Sequence, residues 1–314
     1  MRILFAGTPG IAVPSLRAVA GEFDVVGVLT APDRTSGRGR KVSPSPVKAA
    51  AGEMGLRVLQ PERLGAASRD DVASLGADLL VVFAYGRIFG PKFLSLFPLG
   101  GINMHPSALP KYRGPSPITA AILGGDSETA LTVQRISEEM DAGDIVRQTP
   151  FPLDGTETTG SLTEAVSLAA APELAAAVRN IAEGTAVDVP QDPAAAVYCR
   201  LVRKENGVID WSRPAAEIER MIRAYDPWPR ARTTLGGEPL TLLASAVADT
   251  VSRGGSGPPG TVSGVDTSRG ILIQTGEGIL AVTRLQAAGR KPLDFRSFLN
   301  GVTLEAGSQL GESP

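Results

Sequence analysis

In the first half of the chain, short apolar runs alternate with alanine-rich stretches of helical spacing. Residues 2–6, 25–29 and 79–83 are mostly apolar runs of strand length, and residues 12–19 and 47–54 between them have helical spacing. Near-continuous apolar strands are buried on both faces, and parallel strands need a crossover between them. This rhythm therefore predicts an α/β unit, a Rossmann-like, mostly parallel sheet with helices on both faces. Further apolar runs at 101–104 and 130–136 extend it. Residues 164–182 are alanine-rich, and Pro172 within them predicts a pair of helices rather than one.

Residues 188–196 hold two prolines and no clear period, which reads as a linker. Beyond it the period changes. Residues 215–224 read as one amphipathic helix. Residues 231–235, 240–248, 260–265, 270–275 and 278–287 read as short strands between Gly- and Pro-rich turns, with a loop at 253–259. That spacing predicts a small antiparallel barrel. At 314 residues the chain is long for a single core. The expected division is a first domain over 1–188, a linker over 189–206 and a second domain over 207–314.

Composition removes several classes of function. The 31 Lys and Arg stand against 33 Asp and Glu, a net charge of −2, so any contact with nucleic acid needs a local basic patch rather than bulk charge. One Cys and one His exclude a disulfide framework, a cysteine-rich zinc site and a multi-histidine metal centre, so no metal is expected. The N-terminus runs directly into an apolar strand, and no segment approaches the ~20 apolar residues of a membrane span, which predicts a cytoplasmic protein.

The most informative segment is Gly101-Ile102-Asn103-Met104-His105-Pro106-Ser107-Ala108-Leu109-Pro110. In a strand over 102–104, Asn103 and His105 lie two apart and face the same side. They fall near the strand's carboxyl end, where open α/β sheets place ligands. An amide and an imidazole on one face can bind a developing oxyanion, and the imidazole can shuttle a proton near neutral pH. The competing reading is a structural histidine. A carboxylate must set the tautomer, and Met140-Asp141-Ala142-Gly143-Asp144 is the best supplier. Its small residues imply a tight loop whose backbone a substrate can approach; an Asx turn with solvated carboxylates is the alternative. Gly7-Thr8-Pro9-Gly10 reads as a tight strand-to-helix turn, because it lacks G-x-G-x-x-G spacing and Pro9 removes a donor; a turn presenting backbone N–H groups to a phosphate is the alternative.

Asn103-x-His105-Pro106-Ser107-x-Leu109-Pro110 followed by Met140-Asp141-x-Gly143 resembles the formyltransferases that use 10-formyltetrahydrofolate. The resemblance implies Asn103, His105 and Asp141 as the catalytic set, with the first aspartate of the loop as the catalytic one. It implies 10-formyltetrahydrofolate as formyl donor, held by Ser107, Ala108, Leu109, Pro110, Tyr85 and Ile88. Pro106, Ala108 and Ala142 depart from residues common in the family, but none of these departures removes a catalytic group.

Three stretches bear on the acceptor. Residues 30–48, with five basic residues and one acidic, resemble an insertion of the family members that act on initiator methionyl-tRNA. Lys111-Tyr112-Arg113-Gly114-Pro115-Ser116-Pro117 resembles a segment of the same enzymes. Lys204-Glu205-Asn206-Gly207-Val208-Ile209-Asp210-Trp211, continuing to Tyr225-Asp226-Pro227-Trp228-Pro229, resembles the start of their OB-like C-terminal domain, which helps hold tRNA. The resemblance runs over residues 2–311 and implies tRNA contacts at Arg34, Arg38, Arg40, Lys41 and Arg113. The reaction it implies is formyl transfer to the α-amino group of methionine on initiator tRNA. The alternatives are a formyltransferase acting on an amino sugar or glycinamide ribonucleotide, and a non-catalytic RNA-binding protein. In the implied chemistry Asn103 donates to the oxyanion and His105, held protonated by Asp141, donates again. Asp141 takes up the amine proton through water.

Residues 207–314 hold eleven basic and eleven acidic residues, so RNA binding there needs an arranged face. Arg223, Arg230, Arg232, Arg290 and Lys291 are its candidate members. Trp211 and Trp228 read as core anchors rather than stacking platforms. No obligate protein partner is expected, and a monomer is the default.

Overall fold

The computed structural model describes residues 1–36, 41–248 and 257–311. The chain forms two compact units, each discontinuous in sequence. The first comprises Met1–Pro117, Glu128–Pro152 and Leu162–Arg200, and the second Ile118–Ser127, Leu153–Ser161 and Leu201–Pro314.

The first half of the chain carries β1 (Arg2–Gly7), α1 (Val13–Glu22), β2 (Asp24–Leu29), β3 (Arg34–Ser36), β4 (Lys41–Ser43), α2 (Pro46–Glu53) and β5 (Val58–Leu59). There follow α3 (Ala66–Ala73), β6 (Leu79–Phe83), α4 (Pro91–Leu94), β7 (Gly101–His105), α5 (Pro117–Gly124), β8 (Glu128–Arg135), β9 (Ile145–Pro152) and α6 (Thr159–Glu183). Seven of these strands form one sheet in the order β5-β2-β1-β6-β7-β8-β9. From β5 to β7 all pairs are parallel, whereas β8 runs antiparallel to β7 and β9 antiparallel to β8. The sheet is thus Rossmann-like and mostly parallel, flanked by helices, with a reversed edge that the run at 130–136 does not signal by itself.

The apolar runs occupy its centre. Ile3, Leu4 and Phe5 of β1 and Leu79, Leu80 and Val81 of β6 are wholly buried. Such side chains each stabilise the fold by about 1.5–3 kcal/mol through area removed from water. From β1 the chain moves outward to β2 and β5, then returns to β6 on the other side of β1. The order therefore reverses between β1 and β6, and the carboxyl ends of these strands border the crevice where open α/β sheets bind ligands. Tyr85, Phe89, Phe93 and Phe97, spaced four apart, follow β6 as a row of rings with successive centroids 5.4, 5.1 and 5.9 Å apart.

Pro172 does not divide 164–182 into two helices; α6 is continuous through it. A proline inside a helix deletes the bond to the carbonyl four residues back. That carbonyl belongs to Leu168, which is exposed, as is Pro172 itself, so water can satisfy it. The opposite face, with Val166, Ala170, Leu174 and Val178, is buried and holds the helix together across the defect.

In the second unit lie α7 (Ala215–Ala224), β10 (Ala231–Leu235), β11 (Glu238–Ala248), β12 (Val262–Asp266), β13 (Gly270–Gln274), β14 (Ile279–Ala287), β15 (Leu293–Asp294) and α8 (Phe295–Leu299). The strands pair antiparallel in the order β10-β11-β14-β13-β12, with β15 beside β14. Leu310 bridges to Leu235 and Gln309 to Thr261, so the C-terminal segment joins the two ends of that path. Trp211, Ile218, Ile222, Leu242, Ile273 and Leu280 lie in its core. Trp211 donates from Nε1 to Thr233 Oγ1 at 3.0 Å. Trp228, read as a second anchor, is instead 56% exposed. Among the described residues no helix is long and apolar enough to cross a membrane.

Candidate active site

β7 lies between β6 and β8, and strand alternation sets its two faces. Asn103 pairs in register with Gln134 of β8, and His105 with Thr132. These four polar residues therefore share one face of the sheet at the carboxyl end of β7. Thr132 Oγ1 donates to the Ser107 carbonyl at 2.6 Å, and Gln148 Nε2 donates to Thr132 Oγ1 and to the Leu109 carbonyl at 2.9 and 3.0 Å. Side chains of β8 and β9 thus fix the turn that leaves β7. Gln134 and Thr132 interrupt an apolar run and belong to no motif, so sequence reasoning misses them; their alternation inside that run is the available signal.

His105 is 5% exposed, and its two ring nitrogens have different partners. Nε2 lies 2.9 Å from the Tyr112 carbonyl, which only accepts, so Nε2 carries a proton. Nδ1 lies 3.6 Å from Asp141 Oδ1. Burial pushes the imidazole pKa below its ordinary 6.5; the Asp141 carboxylate and the bond to Tyr112 pull it up but do not overcome the burial. The expectation that Asp141 holds His105 protonated is therefore corrected. At neutral pH the ring is uncharged, with the Nδ1 lone pair toward the carboxylate.

Asp141 is held from several sides. Its Oδ2 accepts the Gly114 N–H and its Oδ1 the Gln134 side-chain amide, each at 2.8 Å. Its backbone is left-handed, φ +54°, a conformation costing a non-glycine residue of order 1–3 kcal/mol and seen most readily for Asn and Asp. Two glycines make this geometry possible. A Cβ at Gly143 would fall 1.9 Å from the Arg135 carbonyl oxygen, and one at Gly114 would fall 2.5 Å from that of Cys199. Gly143 thus serves the close packing of the Asp141 loop on β8 rather than the approach of a substrate to the loop backbone.

Asn103 is half-buried, and its side-chain amide has no hydrogen-bond partner among the described residues. One amide donor, one uncharged imidazole and one carboxylate therefore occupy the end of β7 and the adjoining loop. Together they can bind a developing oxyanion and accept a proton.

The other expected site residues are distributed as follows. Ser107 is wholly buried and its Oγ donates to the Lys111 carbonyl at 2.6 Å, so it shapes the turn and offers no nucleophile. Leu109 is buried, and Ala108 and Pro110 are half-buried. Tyr85 departs from a ligand-contacting ring: it is buried in an apolar cluster with Phe89 and Phe93. Ile88 is exposed. Arg34 is exposed at the start of the β3–β4 hairpin and Lys41 lies in β4, while Arg38 and Arg40 fall outside the described residues.

Arg113 does not fit a tRNA contact. It is 3% exposed, with Nε donating to Gln191 Oε1 at 3.0 Å and Nη1 to Tyr198 Oη at 3.2 Å. In the second unit, Arg223 is held by Glu219 and the Glu157 carbonyl, Arg230 by Gln286 and Arg232 by the Lys204 carbonyl, whereas Arg290 and Lys291 are exposed.

The description "formyl transferase" belongs to the family whose model matches residues 2–178, and "formyl transferase, C-terminal domain" to the one matching residues 201–303. The methionyl-tRNA formyltransferase of Treponema denticola is 44% identical over 311 residues, covering 96% of this chain and 97% of its own. The protein of the same name from Roseiflexus castenholzii is 46% identical over 314 residues, covering 99% of each chain. Among solved structures, an N-formyltransferase from Helicobacter canadensis in complex with folinic acid and dTDP-3-aminofucose aligns with a TM-score of 0.67. It is 20% identical, over 89% of this chain and 98% of that one, and so shows the fold alone.

Proposed function

The chain belongs to the formyl transferase family, in the branch of the methionyl-tRNA formyltransferases, and from that premise we infer that it is an enzyme transferring a formyl group to the α-amino group of methionine carried on tRNA. The donor is 10-formyltetrahydrofolate, a substrate consumed in each turnover. The acceptor is the initiator species, and its product starts translation. The observation that carries this reading is the placement of Asn103 and His105 on one face of β7, with Asp141 Oδ1 3.6 Å from His105 Nδ1.

The reaction is an acyl transfer between nitrogens. A free α-amine has a pKa near ~7.7–8.0, so a useful fraction is unprotonated at neutral pH. Its lone pair attacks the formyl carbon, and the carbonyl electrons move onto oxygen. Asn103 donates its side-chain N–H to that oxyanion; a donor of this kind contributes roughly 2.7–4 kcal/mol of barrier lowering.

The attacking nitrogen must then lose a proton. Nε2 of His105 is committed to Tyr112, so Nδ1 is the basic atom available. It takes the proton, and the adjacent Asp141 carboxylate stabilises the imidazolium as it forms. Collapse of the intermediate breaks the bond from the formyl carbon to folate nitrogen. The imidazolium returns its proton to that leaving nitrogen, which restores the uncharged ring. A ring kept neutral by burial suits this cycle, since it starts as a base.

We assign residues 207–314, with Arg290 and Lys291, and the hairpin residues Arg34 and Lys41 to holding the tRNA. The test is transfer of label from formyl-labelled 10-formyltetrahydrofolate to initiator methionyl-tRNA. Labelled formyl-methionyl-tRNA is expected. Absence of transfer to that tRNA, together with transfer to an amino sugar or to glycinamide ribonucleotide, would overturn the assignment of the acceptor.

A further inference from the structure

The segment 189–199, which lies within the expected linker over 189–206, is built into the first unit and reaches the Asp141 loop. Val189 exchanges backbone hydrogen bonds with Ile145 at 2.8 and 2.9 Å, which anchors the start of the segment to β9. Two residues on, the Gln191 side-chain amide donates to the Asp141 carbonyl at 2.9 Å and the Gly143 carbonyl at 2.7 Å, and it lies 3.3 Å from Gln134 Oε1.

Gln191 is itself held. Its Oε1 accepts from Arg113 Nε at 3.0 Å, and Arg113 is nearly sealed from solvent. The same guanidinium donates to Tyr198 Oη, which in turn donates to Glu139 Oε1 at 2.7 Å. Glu139 lies two residues before Asp141. The loop is thus gripped at 139, 141 and 143 by a network centred on the buried Arg113 and the half-buried Gln191.

A left-handed aspartate persists only where its surroundings over-determine it. The Gly114 and Gln134 bonds fix the Asp141 carboxylate, and Gln191 is the side chain that fixes the backbone on which it is carried. Resting on the reading of His105 and Asp141 given above, we infer that Gln191, supported by Arg113, is a positioning residue. It holds Asp141 at the distance where the carboxylate stabilises protonated His105.

The test compares Gln191→Ala and Gln191→Glu with the wild type in steady-state formyl transfer to methionyl-tRNA across pH 5 to 8. Glutamate keeps the volume and the acceptor for Arg113 but deletes both donors to the loop, so it separates hydrogen bonding from packing. In both variants kcat is expected to fall on the order of 10- to 100-fold, as for a catalytic group misplaced by about 1 Å, with KM for both substrates little changed. In Gln191→Ala, which adds no charge of its own, the acid limb of the kcat profile is expected to move to lower pH, because His105 loses an adjacent negative charge. A merely structural role lowers the amount of folded enzyme and leaves that limb in place. Wild-type kcat in folded Gln191→Glu, or an unmoved limb in folded Gln191→Ala, would overturn the inference. Absence of transfer by the wild type would instead overturn the catalytic reading beneath it.

Discussion

His105 and Asp141 approach each other through one pair of atoms: Nδ1 lies 3.6 Å from Oδ1, while the other ring nitrogen is 2.9 Å from the Tyr112 carbonyl. The two contacts divide the work of the ring. The Tyr112 carbonyl fixes the tautomer, and in the proposed mechanism Asp141 stabilises the charge placed on the imidazole. Burial lowers the pKa of the resting ring, which suits the base assigned to it in the proposed mechanism.

Burial of the uncharged imidazole makes stability depend on pH with a definite sign. The folded pKa lies below the ordinary 6.5, so from pH 6.5 down to the folded value the unfolded chain binds more protons than the folded one. The contribution is fully present above pH 6.5 and is lost as pH falls through that window. His105 is the only histidine in the chain. Denaturant titrations between about pH 6.5 and 5 are expected to show a declining unfolding free energy in the wild type and a flatter curve in His105→Gln. Equal slopes in the two proteins would contradict the buried neutral ring.

Asn103 is assigned a single task, donation to the oxyanion. Asn103→Ala is expected to reduce kcat by about 10²- to 10³-fold, some 2.7–4 kcal/mol, and Asn103→Asp is expected to be no better because it offers an acceptor where a donor is needed. Thermal unfolding is expected to change little, since this side chain has no internal partner among the described residues. Activity within a few-fold of wild type in the alanine variant would remove Asn103 from the mechanism.

Gly143→Ala tests the packing that shapes the Asp141 loop. The added Cβ would fall 1.9 Å from the Arg135 carbonyl oxygen, so the loop must leave β8. Destabilisation at or above the ~1–3 kcal/mol typical of overpacking is expected, together with loss of kcat. Ala142→Thr, at a half-buried neighbour, is expected to be far milder. A Gly143→Ala protein as stable and active as wild type would show that the loop does not need this close approach.

Much of the fold was legible in the sequence because buried strands are written as uninterrupted apolar runs. Residues 2–6, 25–29 and 79–83 became β1, β2 and β6, and 231–235 became β10. The reversal of β8 was not legible, since direction is set by connections rather than by the apolar content of a run. The continuity of α6 through Pro172 was not legible either, because it rests on an exposed carbonyl opposite a buried face. At the site, Asn103 and His105 could be placed on one face from their spacing alone. Gln134, the Tyr112 carbonyl and Gln191 were hidden: their roles come from register, from a backbone atom and from a segment about fifty residues away that looked like a tether. The sign of the His105 shift was hidden too, because proximity to a carboxylate is visible in a motif while burial is not.

The basic hairpin carries the prediction on RNA. Arg34 is exposed at its base, and Arg38 belongs to the same basic stretch in the sequence. Arg34→Ala with Arg38→Ala is expected to raise KM for methionyl-tRNA and leave kcat near wild type. The salt dependence is expected to flatten by roughly 0.7–0.9 in log–log slope for each phosphate no longer neutralised. An unchanged KM with an unchanged slope would show that the hairpin does not touch the tRNA.

Whether His105 moves the amine proton is read from single-turnover formyl transfer by His105→Asn, with folate donor and methionyl-tRNA both saturating. The expected result is a rate reduced by about 10²- to 10⁴-fold in a protein that still folds and binds both substrates. A single-turnover rate near that of the wild type, at any pH between 6 and 8, would contradict it.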